Sequence, residues 1–515
     1  MAKNRFMDAL IGGEFVVSCE IIPGRGAATP RQDEELAKAV AVWNTGLVHA
    51  ISVTDNPGGH PALLAEAMGE ELEPKAITSL VHFSCKDRSR NQILSQLYAM
   101  ERKGLANILV MTGDYPAGGW KGRSRPVFDL DSVQLLMMIG EMNAGLMAQV
   151  SPSGAKEQPS SFYAGAVVNP YKYTEGEVIA QYAKLHKKLF AGARYLITQL
   201  GYDNRKLVEL QNHMRELGYE TPVIASVFVL SYRIALLMRE GMIAGCYVSD
   251  ELLTLLAKEA EGRDGGAAAQ IERAAQMVAV AKGMGLAGVH LSGLELSAEM
   301  VAQILSRAHD LETQWQDLFE VNCFGEPDGF YYYQIDGAAD KPDQESRIPS
   351  PRNEQVKARP IMQAYRLSRV FNRVMLTPNR GFYGALKRSM EKREQKKGMR
   401  QKHGFERMVK TLLYNCMDCG DCALETCAYR CPMSYCPKCQ RNGPCGGSIK
   451  GWCEVYPDER YCLWYGAYHR LKKYGETDKL SLYITLPNNW DYFAASGWSN
   501  YTHERDNAAR RIVMK

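Results

Sequence analysis

FVVSCEII (15–22), LVHAISVTD (47–55), ITSLVHFSC (77–85) and NILVMTGDY (107–115) decide the fold. Each is a short apolar, β-branched run that ends in polar residues. Four more follow: SFYAGAVVN (161–169), YLITQLGYD (195–203), PVIASVFVL (222–230) and AGVHLSGLE (287–295). Runs of this length, bounded by turn residues, read as buried strands. Between most of them lie stretches such as DEELAKAVAVWNTG and RNQILSQLYAMERKG, apolar at helical spacing and closed by glycine. Eight strands alternating with helices over roughly 300 residues predict an α/β chain with a (β/α)8 TIM barrel; an open doubly wound sheet is the alternative. The long insert between the seventh and eighth strands predicts two helices, SDELLTLLAKEAEG and GAAAQIERAAQMVAVAKGMG.

Working outward, the alternation stops after SAEMVAQILSRAHDLETQW. We therefore divide the chain into a barrel (1–312), a partly helical connector (313–404) and a cysteine-rich region with a C-terminal tail (405–515). The connector holds the aromatic patch CFGEPDGFYYYQIDG, the polar stretch DKPDQESRIPSPRNEQ and a basic run, LKRSMEKREQKKGMRQKHG. A solvated helix face is the plain reading of that run, and a docking surface for an acidic electron carrier is the sharper one. The 515 residues carry 46% hydrophobic and 23% charged side chains with a mean hydropathy of −0.30, an ordinary globular composition that excludes disorder. A net charge of +4 gives no reason to expect a nucleic-acid or membrane partner. No apolar run is long enough to span a bilayer, and the start MAKNRFMDALIGGEF lacks the apolar core of a signal peptide, so a cytoplasmic, reducing compartment is expected.

Ten of the 14 cysteines fall between Cys416 and Cys462. In a reducing compartment such a cluster reads as metal-binding. The opening Cys416-x2-Cys419-x2-Cys422, with Cys-Pro at Cys431, is close to the ferredoxin run for a cubane cluster. Three thiolates two residues apart converge on one small face, whereas tetrahedral zinc usually takes pairs from separate knuckles. Glycines around Cys445 let backbone amides approach sulfur. Two four-cysteine clusters with two thiols left over fit the count; structural zinc and plain buried cysteines are the alternatives.

Chemistry in a barrel sits where the strands end at the C-terminal face. The candidates there are Glu20, Thr54, His82, Asp114, Asn169 and Gln199. Any one of these could be a satisfied core polar group or a helix cap, but six at one end of one barrel are harder to dismiss.

SCEIIPGRG (18–26), SVTD (52–55), HFSC (82–85), LVMTGDYP (109–116) and AGARYLITQLGYD (191–203) resemble methylenetetrahydrofolate reductase, a flavin-dependent barrel family, over most of residues 10–300. The resemblance implies Glu20 as general acid and folate contact. It implies Asp114 beside flavin and folate, supporting a cationic iminium intermediate, and Gln199 as a pterin contact. Thr54, His82, Gly113, Asp114 and Lys188 take flavin-contacting positions. The chain departs from the family pattern at Thr112, where arginine is usual, at Gly165 to Asn169, and at Gln181. Those departures bear on the flavin phosphate and ribose contacts more than on the folate contacts. The C-terminal pieces CMDCGDC, CPM, CPK, NGPCGG, CEV and CLW resemble the cysteine-rich domain of the small iron–sulfur subunit that accompanies this reductase in acetogens. That resemblance implies eight shared ligands: Cys416, Cys419, Cys422, Cys431, Cys436, Cys445, Cys453 and Cys462. Cys427 and Cys439 are extra.

These readings combine into an oxidoreductase that interconverts 5,10-methylenetetrahydrofolate and 5-methyltetrahydrofolate. Its expected cofactors are FAD, with FMN as the alternative, and two [4Fe-4S] clusters, with zinc as the alternative. The expected partners are a tetrahydrofolate derivative and a redox partner such as ferredoxin or an NADH-oxidising subunit, in an oligomer or complex. Apolar neighbours in VVSCEII would raise the Glu20 pKa by desolvation, as an acid at neutral pH requires. The rival readings are a methyltetrahydrofolate-dependent methyltransferase, a non-catalytic electron-transfer adaptor with a degenerate barrel, and an NAD(P)H-using reductase with structural zinc. No Gly-x-Gly-x-x-Gly fingerprint occurs at a strand-to-helix turn.

Overall fold

The computed structural model describes residues 4–145, 157–294, 296–334, 348–355, 362, 364–378, 381–400 and 403–514. Each of the eight apolar runs contains a strand: β1 (Val16–Ile21), β2 (Ala50–Val53), β3 (Ser79–Ser84), β4 (Asn107–Met111), β5 (Tyr163–Val168), β6 (Leu196–Thr198), β7 (Val223–Phe228) and β8 (Gly288–Ser292). All pair in parallel with their sequence neighbours, and β1 closes on β8 with Val16 beside Gly288, giving a closed barrel. The strands are short and almost wholly buried because helices cover the outside while side chains fill the inside.

The barrel helices in chain order are α1 (Arg5–Ile11), α2 (Pro30–Asn44), α3 (Ala65–Leu72), α4 (Arg90–Lys103), α5 (Ser132–Asn143), α6 (Glu175–Phe190), α7 (Asn204–Glu216), α8 (Tyr232–Arg239), α9 (Asp250–Ala260), α10 (Ala267–Gly283) and α11 (Ala298–Leu311). The insert between β7 and β8 thus holds three helices where the sequence predicts two. Helix α1 precedes the first strand and plugs the floor: Phe6 meets Tyr195 edge-on at 5.2 Å between ring centroids. Tyr195 in turn needs Gly165, where a Cβ would lie 2.2 Å from its ring. The departure at Gly165 is therefore a packing requirement of the barrel floor.

Part of the polar connector stretch (340–347) lies outside the described residues. The described part of the aromatic patch, 323–334, runs along α7, where the Tyr331 hydroxyl donates to the Asp203 carboxylate and Tyr333 donates to Glu216 at 2.6 Å; residues 335–337 lie outside the described residues. Further on, Glu354 accepts from the Gly176 amide at 3.0 Å and from the Tyr465 hydroxyl at 2.5 Å, so it touches both the barrel and the cysteine-rich region. The basic run lies largely on a helix, Tyr383–Lys397, whose face is mostly exposed apart from Met390. Among the described residues no helix is long and apolar enough to cross a membrane.

Candidate active site and thiol cages

Strand pleating sends alternate residues inward, and at the barrel mouth this gathers Glu20 of β1, His82 of β3 and His290 of β8. Their ligand atoms lie within 4.8 Å of one another, close enough for a proton relay or a small cation. His290 accepts or donates through both ring nitrogens, to Ser18 Oγ at 2.9 Å and to Glu20 Oε2 at 3.4 Å. His82 Nε2 meets Ser52 Oγ at 2.7 Å. Burial pushes the His82 imidazole down to about 4, against the opposing charge of Glu20. The Glu20 carboxyl departs from the sequence expectation. Burial does raise it, but the hydrogen bond and charge of His290, with His82 and Lys38, outweigh that and hold it below the usual range. The expectation considered the neighbours along the strand, and the decisive neighbour comes from the other end of the barrel sheet. His290 was not singled out from the sequence, because one histidine inside an apolar run reads as a core residue.

The remaining candidates are spread around the same rim. Thr54 is buried at the end of β2 with its hydroxyl 3.4 Å from Ile21 O. Its neighbour Asp55 pairs with buried Arg88 at 2.5 Å and accepts from Ser84, which ties the β2 and β3 ends together. Gly113 turns with φ of +85°, and a Cβ there would meet Ser84 and Lys86 at 2.8 Å. Asp114, half-buried, accepts from the Gly58 amide at 2.7 Å, joining the β4 and β2 loops. Gln199 follows β6, with its Oε1 accepting from Leu200 N at 2.9 Å. Lys188 stands apart on α6 and donates to Val167 O; burial, reinforced by Lys184, pushes its ammonium down to about 7. Among the described residues no hydrogen bond joins Gln199 or Lys188 to the Glu20 group.

The cysteine-rich region seats residues 438–448 on the rim over β4 and β5. Gln440 Oε1 accepts from Thr112 Oγ1 at 3.2 Å and from Lys184 Nζ at 2.9 Å. Asn169 Nδ2 donates to Gly446 O and Gly245 O, each at 2.9 Å. Gly446 also sits close to the Gln181 amide, where an added Cβ would be 3.7 Å from Nε2. Asp131, the N-cap of α5, accepts from Arg441 N at 3.2 Å and Asn442 Nδ2 at 3.0 Å. Three departures from the family pattern, Thr112, Asn169 and Gln181, are thus places where the barrel meets its own C-terminal region.

Within that region eight thiols fall into two sets. Cys416, Cys419, Cys422 and Cys431 line one cavity. Cys436, Cys445, Cys453 and Cys462 line another. Cys427 is wholly buried in an apolar cluster with Trp464 and Tyr468, and Cys439 packs against the barrel core. The amide of Asp418 donates to Cys416 Sγ at 3.4 Å, and that of Gly447 to the Cys445 sulfur. Gly447 has no freedom to change, since a Cβ would sit 1.4 Å from Glu454 Oε2.

Residues 5–309 match the family model described as methylenetetrahydrofolate reductase. The chain belongs to the methylenetetrahydrofolate reductase family. Residues 397–491 match a second model, described as methylene-tetrahydrofolate reductase C terminal. A probable methylenetetrahydrofolate reductase (NADH) of Oryza sativa subsp. japonica is 21% identical over 232 residues, covering 44% of this chain and 37% of its own. Methylenetetrahydrofolate reductase (NADH) 1 of Arabidopsis thaliana is 22% identical over 180 residues, covering 35% and 30%. The chain therefore spans about a third of the length of these curated relatives. A solved protein from Clostridium thermocellum, described as binding two copies of 5-methyl-5,6,7,8-tetrahydrofolic acid, overlays with a TM-score of 0.41 at 11% identity, covering 60% of this chain and 99% of its own.

The flavin expected of a methylenetetrahydrofolate reductase can be tested against these residues. Thr54, His82, Gly113 and Asp114 remain at the mouth and suit the polar edge of a flavin ring. The rim toward α6 is taken by Gln440 and Gly446, which hold Lys184 and Asn169.

Proposed function

We propose that the chain is an oxidoreductase that interconverts 5,10-methylenetetrahydrofolate and 5-methyltetrahydrofolate, with electrons relayed through [4Fe-4S] clusters in the two thiol cages. The observation that carries this reading is the Glu20–His290 pair at the mouth of a barrel of this family, with the second thiol cage clamped onto the same rim. Reduction takes up two electrons and two protons. Glu20 delivers one proton to the folate nitrogen and opens the five-membered ring; because its carboxyl is held low, that proton has to be resupplied from solvent, to which Glu20 is partly open, with His290 holding the carboxylate and Ser18 holding His290. Asp114 stabilises the resulting cation electrostatically, held in place by the Gly58 amide. Gln199 orients the pterin. A flavin at Thr54, His82, Gly113 and Asp114 supplies, when bound, the two-electron chemistry that one-electron carriers lack.

Each cage is lined by four cysteines, the number a [4Fe-4S] cluster takes, and the first set contains the ferredoxin-like Cys416-x2-Cys419-x2-Cys422 run. Thiolate ligation of the eight cysteines, a ferredoxin or an NADH-oxidising subunit as donor, and a boundary between barrel and cysteine-rich region within 313–404 all belong to this proposal.

One observation favours a second reading. The occupied rim at Thr112, Asn169 and Gln181 would suit a barrel that has given up its flavin and serves as an electron-transfer adaptor. Anaerobic purification with iron, sulfide, zinc and flavin counted on one sample separates the two. About eight iron and eight sulfide with one flavin per chain are expected for two cubanes and a reductase; iron without flavin favours the adaptor, and zinc in place of iron removes the relay. Glu20→Gln should abolish folate reduction while leaving flavin reduction intact, and retained folate turnover overturns the role of Glu20.

A further inference from the structure

Lys438 lies between the second thiol cage and the barrel. Its side chain is buried and lines the cavity of Cys436, Cys445, Cys453 and Cys462. The ammonium donates to Gly113 O at 2.8 Å, in the turn that carries Asp114. It also pairs with the Glu454 carboxylate, whose Oε1 is 3.4 Å from Cys445 Sγ. A carboxylate that close to a ligand sulfur opposes the extra negative charge an electron brings. The lysine beside it does the reverse.

From this arrangement we propose that Lys438 is a positioning residue that links the second cage electrostatically to the strand-four turn, and that it sets how readily an electron enters a cluster held in that cage. The proposal rests on the cluster reading above. Cluster potentials follow net charge, burial and hydrogen bonds to sulfur. A unit charge a few ångströms away in a desolvated site changes an equilibrium constant by tenfold or more. The step itself is one electron entering one oxidised cluster, supplied by an external one-electron donor such as dithionite in the test or a ferredoxin-like protein in use; no bond forms or breaks. The same contact fixes the Gly113 backbone, so the charge that favours the electron also holds the turn that presents Asp114.

The test is a potentiometric titration of the anaerobically purified full chain, followed by electron paramagnetic resonance, with iron and sulfide counted on each sample. Lys438→Met should lower the equilibrium constant for reducing one cluster at least tenfold, which is 59 mV for a one-electron couple. Glu454→Gln should raise it in the opposite sense. Lys438→Arg should stay within about threefold of the parent, because it keeps the charge. The second signal, from the Cys416 set, should not move in any of them. Loaded Lys438→Met protein with unmoved potentials overturns the proposal, as do shifts of the same sign in Lys438→Met and Glu454→Gln. Should Lys438→Met fail to load, the opposite shift in Glu454→Gln with an unmoved Lys438→Arg supports the proposal, and no shift in Glu454→Gln overturns it. A parent chain without iron overturns the cluster reading and this inference together, whereas iron with unmoved potentials removes only the role of Lys438.

Discussion

Asp131 does two jobs with one carboxylate, and replacing it tests how tightly the cysteine-rich region is clasped to the barrel. Its Oδ1 caps α5 by accepting from Val133 N at 3.0 Å and Gln134 N at 3.1 Å. Its Oδ2 accepts from Arg441 N and Asn442 Nδ2. The side chain is almost fully buried, so water does not replace what is lost. Removing the N-cap costs about 1 kcal/mol. Each of the two clasp bonds adds about 1 kcal/mol when its donor is left buried and unpaired. Asp131→Ala should therefore cost about 3 kcal/mol, whereas Asp131→Ser, which keeps a capping oxygen but cannot reach Asn442, should cost about 2 kcal/mol. Urea unfolding of the anaerobically purified chain, followed by tryptophan fluorescence, reads both values, and hydrogen exchange at 440–443 should quicken in both variants. A cost below about 1 kcal/mol for Asp131→Ala, or unchanged exchange at 440–443, would refute the clasp.

Three other perturbations have expected outcomes. Burial holds His82 down to about 4 from an ordinary 6.5, so between those values the unfolded chain binds a proton that the folded chain does not. Stability should then fall as pH drops from 6.5 toward 4, by about 3 kcal/mol for this group alone, and His82→Asn should flatten that slope in urea midpoints measured across the window. Gly165→Ala places a methyl group 2.2 Å from the Tyr195 ring and should cost about 1–3 kcal/mol by overpacking, read as a lower thermal midpoint; an unchanged midpoint would show that the ring can move. Arg88→Met leaves Asp55 buried without its partner and should cost about 3–5 kcal/mol, a loss that Arg88→Met with Asp55→Leu should largely recover.

The barrel was legible because parallel strands buried on both faces write themselves as uninterrupted apolar runs, down to the three residues of β6. The first helix of the β7–β8 insert escaped because it is only eight residues long and only Ser231, its N-cap, separates it from the apolar run of β7. At the site, Glu20 and His82 could be read as strand-end polar groups, but His290 could not. Its role comes from the closure of β8 onto β1, which no local pattern expresses. The rim shows the same limit more sharply: Thr112 looks like a loss when read along β4, and its partner Gln440 lies 328 residues away. The split of the eight thiols follows chain order, first four and last four, so it was within reach once the spacing was read as two cages.

Helix α6 carries a consequence for how the chain is made. Lys184, Lys187 and Lys188 all lie on it; Lys184 is held by Gln440, and Lys187 lies 5.4 Å over the ring of Trp464. Before the C-terminal third has been synthesised, the helix faces water with ammonium groups among apolar side chains, both intended for a cover that does not yet exist. Domains leave the ribosome in order and can fold as they emerge. The eight strands close on one another without that segment, but Lys184 and Lys187 gain their cover only when Gln440 and Trp464 arrive, so a chain cut short of them would present α6 as the visible mark of an unfinished product.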